Sequence, residues 1–324
     1  MARDLLDRYQ GTLTGVHAGD SLGAPYEKKE PEHIASDLAD RGGLVAFSYD
    51  DPWGKSGFFP AGRPTDDTEL TAALAQSLVE RKGSEPHHQY DLFRRAVQGE
   101  SFVWEGIADG FGGTTRLMLD APTYAEALQR VDRPVVPSNG SLMRSAPLAL
   151  WGRNLAPAVL DDAVRESSRV THLHESAVLC SVVYTRVLTS ILHGATPHEA
   201  WEEARSQTYE EHDPWIEHLM RGVAELPEPE ATNVWLRPKR PQGRAGTAYH
   251  TLHIALWSTL NASSFADGLE CAVRFAGDTD TQAAVAGGLL GAHYGLSGIP
   301  REWQDALKGR ARMLNLAQDL YTLL

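Results

Sequence analysis

Cysteine is nearly absent: the 324 residues include two, Cys180 and Cys271, far apart and each in an apolar helical context. Two scattered thiols cannot build a zinc site alone. A chain of this length buries a substantial core without disulfides or a structural metal, so both read as reduced, buried side chains. Basic residues are also in short supply. Against 43 Asp and Glu stand 30 Lys and Arg, a formal net charge of −13. That argues against a nucleic-acid binder held by phosphate contacts, which needs a basic footprint. It leaves room for a nucleotide-like ligand, since an acidic pocket holds one through divalent cations. No stretch approaches the roughly 20 apolar residues of a membrane span. Met1-Ala2-Arg3-Asp4-Leu5-Leu6-Asp7 carries acidic residues where a signal peptide needs an apolar run. These absences predict a soluble, cytoplasmic protein with no membrane partner.

Alternation of apolar and polar residues is missing too. The nearest run, Gly43 to Tyr49, is short and ends in a loop rich in Asp, Pro and Gly. What is present is helical spacing. Leu70, Ala73, Leu74, Ser77 and Leu78 fall on one helix face, and Leu5, Leu6, Tyr9, Leu13 and Val16 behave alike near the start. Leu269, Ala272 and Val273, then Leu314, Ala317, Tyr321 and Leu324, repeat the pattern. Breaks at 50–64 and about 225–247 read as surface loops, with no shift in composition across them. The expected fold is all-α: a compact helical bundle in a single domain spanning 1–324.

Two acidic clusters carry the chemistry. Thr65-Asp66-Asp67-Thr68-Glu69 opens the Leu70 helix, and Gly277-Asp278-Thr279-Asp280-Thr281 opens a stretch of small residues from Ala283 to Gly291. Helix capping accounts for one carboxylate at each place, because a cap needs only one acceptor for the free N-terminal amides. The excess in both clusters points to a shared cation site. Its ligands are all oxygen, without His or Cys, which suits Mg²⁺ or Mn²⁺ rather than zinc. Asp66-Asp67-Thr68-Glu69 also fits the Asp-Asp-x-x-Glu pattern of terpenoid synthases. The second motif of those enzymes ends in Glu, however, and Gln282 followed by Ala, Val, Gly and Leu does not supply it.

The order of motifs resembles the ADP-ribosylglycohydrolase family, which groups dinitrogenase reductase-activating glycohydrolase, the ADP-ribosylhydrolases and the J1 crystallins. The similar segments are Gly15 to Glu27, Pro64 to Leu70, Ser138 to Leu148, Thr171-His172-Leu173-His174 and Gly277 to Ala284, with a tail from Gly291 to Trp303. The resemblance implies a binuclear Mg²⁺ or Mn²⁺ centre at helix N-termini. It also implies hydrolysis of the bond between C1″ of ADP-ribose and an acceptor. By position, Thr65, Asp66 and Asp67 would hold one ion, Asp278 and Thr281 the other, with Asp280 close to both. Glu27 matches a glutamate on a flap near the substrate ribose and becomes a candidate for proton transfer or metal gating, with a metal-shell aspartate, Asp66 or Asp280, as the alternative catalytic carboxylate. Ser138, Asn139, Gly140 and Ser141 sit where the family wraps ADP-ribose, and His172 matches a ligand-contacting histidine. Glycine lets backbone amides approach a phosphate oxygen, while Asn and Ser add neutral donors.

Two segments depart from the family pattern. An aspartate with acid–base duty would correspond to Asp109, but in Asp109-Gly110-Phe111-Gly112-Gly113-Thr114-Thr115 it stands one position too far from the Thr pair. An aromatic expected beside Gly246 is displaced to Tyr249. The Thr65–Glu69 segment resembles arginine-directed members, so the expected substrate is ADP-ribosyl-arginine on protein. A serine or nucleic-acid acceptor and free ADP-ribose stay open. The competing function class is a catalytically silent ADP-ribose-binding, crystallin-like or immunity protein. The intact set of mutually repelling carboxylates speaks against it.

Overall fold

Apolar stripes at helical spacing can be buried only by packing helix on helix, and that is the architecture of the computed structural model, which describes residues 2–50, 57–105, 110–130, 136–207 and 246–323. Fifteen α-helices run through the described residues: α1 (Ala2–Gly23), α2 (Pro31–Arg41), α3 (Asp66–Arg81), α4 (Pro86–Val97), α5 (Gly113–Leu119), α6 (Tyr124–Arg130), α7 (Ala146–Gly152), α8 (Pro157–Arg169), α9 (Glu175–Leu192), α10 (Pro197–Ser206), α11 (Ala248–Leu260), α12 (Phe265–Arg274), α13 (Thr279–Tyr294), α14 (Arg301–Ala306) and α15 (Arg310–Thr322). The helices start where the chain supplies starting residues. Pro31, Pro86, Pro157 and Pro197 open α2, α4, α8 and α10, and Thr196 with Glu199 forms a reciprocal capping box on α10. The only strands among the described residues are two short ones, Tyr49–Asp50 and Phe58–Phe59, paired antiparallel with Tyr49 opposite Phe59.

The stripes read from the sequence face inward: Leu70, Ala73, Leu74, Ser77 and Leu78 are all buried, as are Tyr9, Leu13 and Val16. Leu324 lies outside the described residues. Helix α9 meets the length and apolarity needed to cross a membrane, which the sequence reading did not credit to any stretch. In the fold, 78% of it is buried inside the protein, the usual condition of a core helix. Cys180 is buried on α9 and Cys271 half-buried on α12, and neither is in a disulfide.

What positions the site is the crossing of α1 and α13. Gly11, Gly15, Gly19 and Gly23 recur every fourth residue on one face of α1 and meet Gly291, Gly287, Ala283 and Thr279 in antiparallel order. A Cβ at any of the four α1 positions would overlap a carbonyl oxygen of α13. The two backbones therefore touch without intervening side chains, the arrangement that small residues at spacing four permit. The consequence is local. The C-terminal turn of α1, carrying Asp20, is fixed beside the N-terminal turn of α13, carrying Asp280. The Thr279 hydroxyl donates to the Gly23 carbonyl at 2.9 Å and ties the two ends together.

Candidate active site

The first acidic cluster is not spent on capping its own helix. Thr65 is the N-cap residue of α3, yet its side chain makes no cap hydrogen bond. Asp20, arriving from α1, takes that part. Its carboxylate accepts from the Thr65 amide (2.8 Å), the Thr65 hydroxyl (2.7 Å), the Thr68 amide (3.1 Å) and the Thr68 hydroxyl. With the free amides served from outside, Asp66 and Asp67 are released to face the cavity. Glu69 points elsewhere: it accepts from Ser101 Oγ at 3.0 Å and from the amides of Phe102 (2.5 Å) and Val103 (3.2 Å), pinning that loop. The second cluster repeats the logic. Asp278 is the N-cap of α13 without a side-chain cap bond, and instead accepts from Asn139 Nδ2 at 2.7 Å and Thr281 Oγ1 at 3.1 Å. Asp280 accepts from the Thr281 amide at 2.9 Å.

Glu27 joins from the turn after α1. Lys28 is held at φ 62° while its amide donates to the Gly277 carbonyl at 2.9 Å, which fastens this turn to the start of α13. One carboxylate oxygen each of Glu27, Asp278 and Asp280 lies within 4.8 Å of the other two. Lys28 Nζ sits 3.0 Å from Glu27 Oε1, while Glu27 Oε2 and Asp67 Oδ1 are buried with no hydrogen-bond donor. Burial pushes the Asp66, Asp67 and Asp280 carboxyls well above the usual carboxylate range, and neighbouring negative charges push further: Asp20 and Asp278 on Asp66, Asp20 and Asp66 on Asp67, Asp278 and Glu27 on Asp280. Glu27 is raised by burial and by Asp278, against the pull of Lys28. Tyr49 in the strand pair is raised by burial and by Asp20 and Asp280. Crowded carboxylates with donor-less buried oxygens fit a hard divalent cation, which replaces the missing donors and cancels the repulsion.

These carboxylates line one side of a cavity of about 1010 Å³. Thr114, Thr115, Ser138, Asn139, Gly140, Met143 and His172 form a neutral part of the lining, and Lys28, Lys29, Glu30 and Glu32 add charged groups from the turn after α1 and the start of α2. The Asn139 amide group bridges both sides, donating to Thr251 Oγ1 at 2.9 Å as well as to Asp278. Ser138 Oγ donates to Thr114 Oγ1 at 3.0 Å, and the Asn139 amide donates to the Gly246 carbonyl at 3.1 Å. His172 is buried with Nδ1 2.8 Å from Thr171 Oγ1, and burial first, then the Arg144 charge, pulls its pKa down to about 3. It remains a neutral ring. A Cβ on Gly140 would come within 2.8 Å of that ring, so glycine is required for the ring to reach the cavity.

Of the residues singled out in the sequence, Glu27, Asp66, Asp67, Asp278, Asp280, Thr281, Ser138, Asn139, Gly140 and His172 meet around this one cavity. Thr65 does not line it and is bonded to Asp20 behind the acidic side. Ser141 does not line it either: its hydroxyl accepts from Ser168 Oγ at 2.8 Å and lies 3.5 Å from Ser181 Oγ, inside the core. Asp109 lies outside the described residues. Tyr249 is half-buried against His253, with ring centroids 5.8 Å apart, and is not among the cavity residues. Sequence reasoning assigned no role to Asp20, Arg144, Thr114 or Thr115. For Asp20 the available signal was its place one residue after Gly19 on the glycine face. For Arg144 there was none, because a lone arginine in an apolar stretch carries no spacing.

The result is an all-α bundle in which two helix N-termini deliver four carboxylates, and the turn after α1 a fifth, to a cavity that neutral hydrogen-bonding side chains also line. The comparisons specify it. A model of the ADP-ribosylglycohydrolase family matches residues 1–324, and the chain belongs to that family. It is 30% identical over 98% of its length to the ADP-ribosylarginine hydrolase Tri1 of Pseudomonas putida, of which it covers 78%. It is 26% identical to the ADP-ribosyl-[dinitrogen reductase] glycohydrolase of Rhodospirillum rubrum, over 93% of this chain and 90% of that one. A solved structure described as an ADP-ribosylglycohydrolase-related protein complex superposes with a TM-score of 0.74 at 29% identity, covering 99% of both chains. The terpenoid-synthase alternative ends here, in keeping with Glu69 facing a loop rather than the cavity.

Proposed function

We propose that the chain acts as one catalytic unit that hydrolyses the bond between C1″ of ADP-ribose and the guanidine nitrogen of an ADP-ribosylated arginine on protein, reversing mono-ADP-ribosylation. The observation that carries this reading is the two-sided cavity of a glycohydrolase-family chain, with donor-less buried carboxylate oxygens on one side and neutral donors on the other. Similarity to relatives named for ADP-ribosylarginine supports the acceptor. Asp66, Asp67, Asp278, Asp280 and Thr281 are the residues that would hold two Mg²⁺ or Mn²⁺ ions, with Thr65 supporting them through Asp20 and Asp67. Such ions, when bound, grip hydroxyls and lower the pKa of water.

The protein's own groups do the rest. Asn139 holds Asp278 in orientation from the neutral side. Ser138, Gly140 and His172 offer uncharged contacts to the diphosphate and ribose, which a wall of further carboxylates would repel. Glu27, half-buried and raised by Asp278, is the carboxyl placed to move the proton that the leaving guanidine takes up. Asp109 belongs to the same proposal only as an auxiliary acid–base group.

The test is release of ADP-ribose from an arginine-ADP-ribosylated protein with Mg²⁺ or Mn²⁺, beside Asp66→Ala and Asp280→Ala. Turnover that needs the cation and falls to background in both variants is expected. Full turnover in a verified cation-free sample refutes the cation site. Tight ADP-ribose binding without turnover on arginine, serine or nucleic-acid conjugates establishes the silent binding protein instead.

A further inference from the structure

Arg144 is 1% exposed, and among the described residues its guanidinium bonds no carboxylate. A buried cation without a counter-ion is costly, and an apolar side chain of similar volume would be tolerated more easily. Its contacts are all neutral, and two of them, Gly140 and the Thr171 hydroxyl beside His172, connect it to the cavity lining. Nη1 donates to the Gly140 carbonyl at 2.8 Å, Nη2 donates to Thr171 Oγ1 at 2.8 Å and to the Ser167 carbonyl at 3.3 Å, and the guanidinium lies 4.3 Å from the Phe93 ring centroid. Burial draws its pKa down to about 9, which leaves it charged at neutral pH.

Valence fixes the first hydrogen bond beyond Arg144 and frees the Thr171 hydroxyl hydrogen for the second. Guanidinium has donors and no acceptor, so Thr171 Oγ1 must accept from it. The single hydroxyl hydrogen of Thr171 is then free to point at His172 Nδ1, 2.8 Å away. An Nδ1 that accepts leaves the neutral ring's proton on Nε2. Nε2 lies on the side that the missing Gly140 side chain leaves open, 3.0 Å from where a Cβ would stand.

We propose that Arg144 is a positioning residue which, through the Thr171 hydroxyl, holds His172 as the tautomer protonated at Nε2, so that the ring presents a hydrogen-bond donor to an oxygen of bound ADP-ribose. The same guanidinium fixes the Gly140 peptide against which the ring rests. Arg144 thus sets the donor pattern of the neutral wall without touching the ligand. The inference takes its ligand from the hydrolase reading above, whereas the tautomer is a property of the free protein.

The experiment uses full-length protein labelled with ¹⁵N-histidine, the His172 signals being assigned by their loss in His172→Gln. In the wild type, His172 is expected to show a protonated Nε2 and an unprotonated Nδ1. Thr171→Val removes the hydroxyl at constant shape, and should give a mixture of tautomers and about tenfold weaker ADP-ribose binding by calorimetry, the worth of one neutral hydrogen bond. Thr171→Ser should restore both. Arg144→Met should also mix the tautomers if it folds, and the two Thr171 variants decide the relay if it does not. A wild-type His172 protonated on Nδ1 or on both nitrogens overturns the proposal. So does a Thr171→Val variant with an unchanged tautomer and unchanged affinity. A wild type that binds no ADP-ribose, yet shows the expected tautomer, counts against the function and not against the relay.

Discussion

The two sides of the cavity are built on opposite terms. On the acidic side, Asp66, Asp67, Asp280 and Glu27 are crowded and under-served, with buried oxygens lacking donors. On the neutral side, Ser138, Asn139, Gly140 and His172 sit in a network whose partners are already in place before any ligand arrives. The first side stores electrostatic repulsion that a cation relieves. The second is held by hydrogen bonds among its own neutral groups, with the Asn139 bond to Asp278 as its link to the first. A site of this kind can hold a charged cofactor at one end and an anionic ligand at the other without one disturbing the other.

The largest expected effect comes from breaking the support of the acidic side. Gly19→Ala drives a methyl into the Ala283 carbonyl and should lower unfolding stability by about 3 kcal/mol, the upper end of overpacking costs. Denaturant unfolding measures it, and a loss below about 1 kcal/mol would mean that α1 and α13 separate easily. Next is Asp20→Asn, which keeps the shape but gives up one of the two oxygens that serve Thr65 and Thr68. As a group acting behind the ligands, it should weaken Mn²⁺ binding about 10- to 100-fold while ADP-ribose affinity in the absence of cation changes little. Equal loss of both would erase the distinction between the two sides.

A pH series sharpens the same contrast. Folding raises the Asp66, Asp67 and Asp280 carboxyls above their unfolded values, so the stability they contribute is fully present below the ordinary aspartate pKa of about 4 and lost as pH rises through the native values. Cation-free protein should therefore melt at a lower temperature near pH 8 than near pH 5.5, and Mn²⁺ should restore more at the higher pH. A cation-free melting temperature that climbs over this range contradicts the repulsion. The smallest effect belongs to Ser141→Ala, which removes a core hydroxyl bonded to Ser168. It should cost about 1 kcal/mol of stability and leave ADP-ribose affinity unchanged.

Much of this was legible in the chain. The stripe from Leu70 to Leu78 is buried as its spacing indicates, and the carboxylates of the two helix starts, Asp66, Asp67, Asp278 and Asp280, line one cavity together with Ser138 to Gly140, a run that only the family resemblance singled out. Ser141 and Thr65 were grouped with their neighbours because residues adjacent in sequence are read together. A turn or helix start sends consecutive side chains in different directions, and these two go to the core and to Asp20. Asp20 and Arg144 were passed over for the converse reason: their partners lie 45 and 27 residues away in the chain.

Composition, helical period and the excess of carboxylates at two helix starts were enough, by themselves, to indicate an all-α chain with a concentrated acidic cluster, because those properties depend on local spacing and on the chemistry of single residues. Which oxygens are left without donors, which hydroxyl serves which carboxylate, and which nitrogen of His172 carries its proton were decided only by the tertiary structure. The physical reason is that hydrogen-bond satisfaction is a property of three-dimensional neighbours. The close crossing of α1 and α13, and the buried guanidinium of Arg144, bring together groups that the chain keeps far apart.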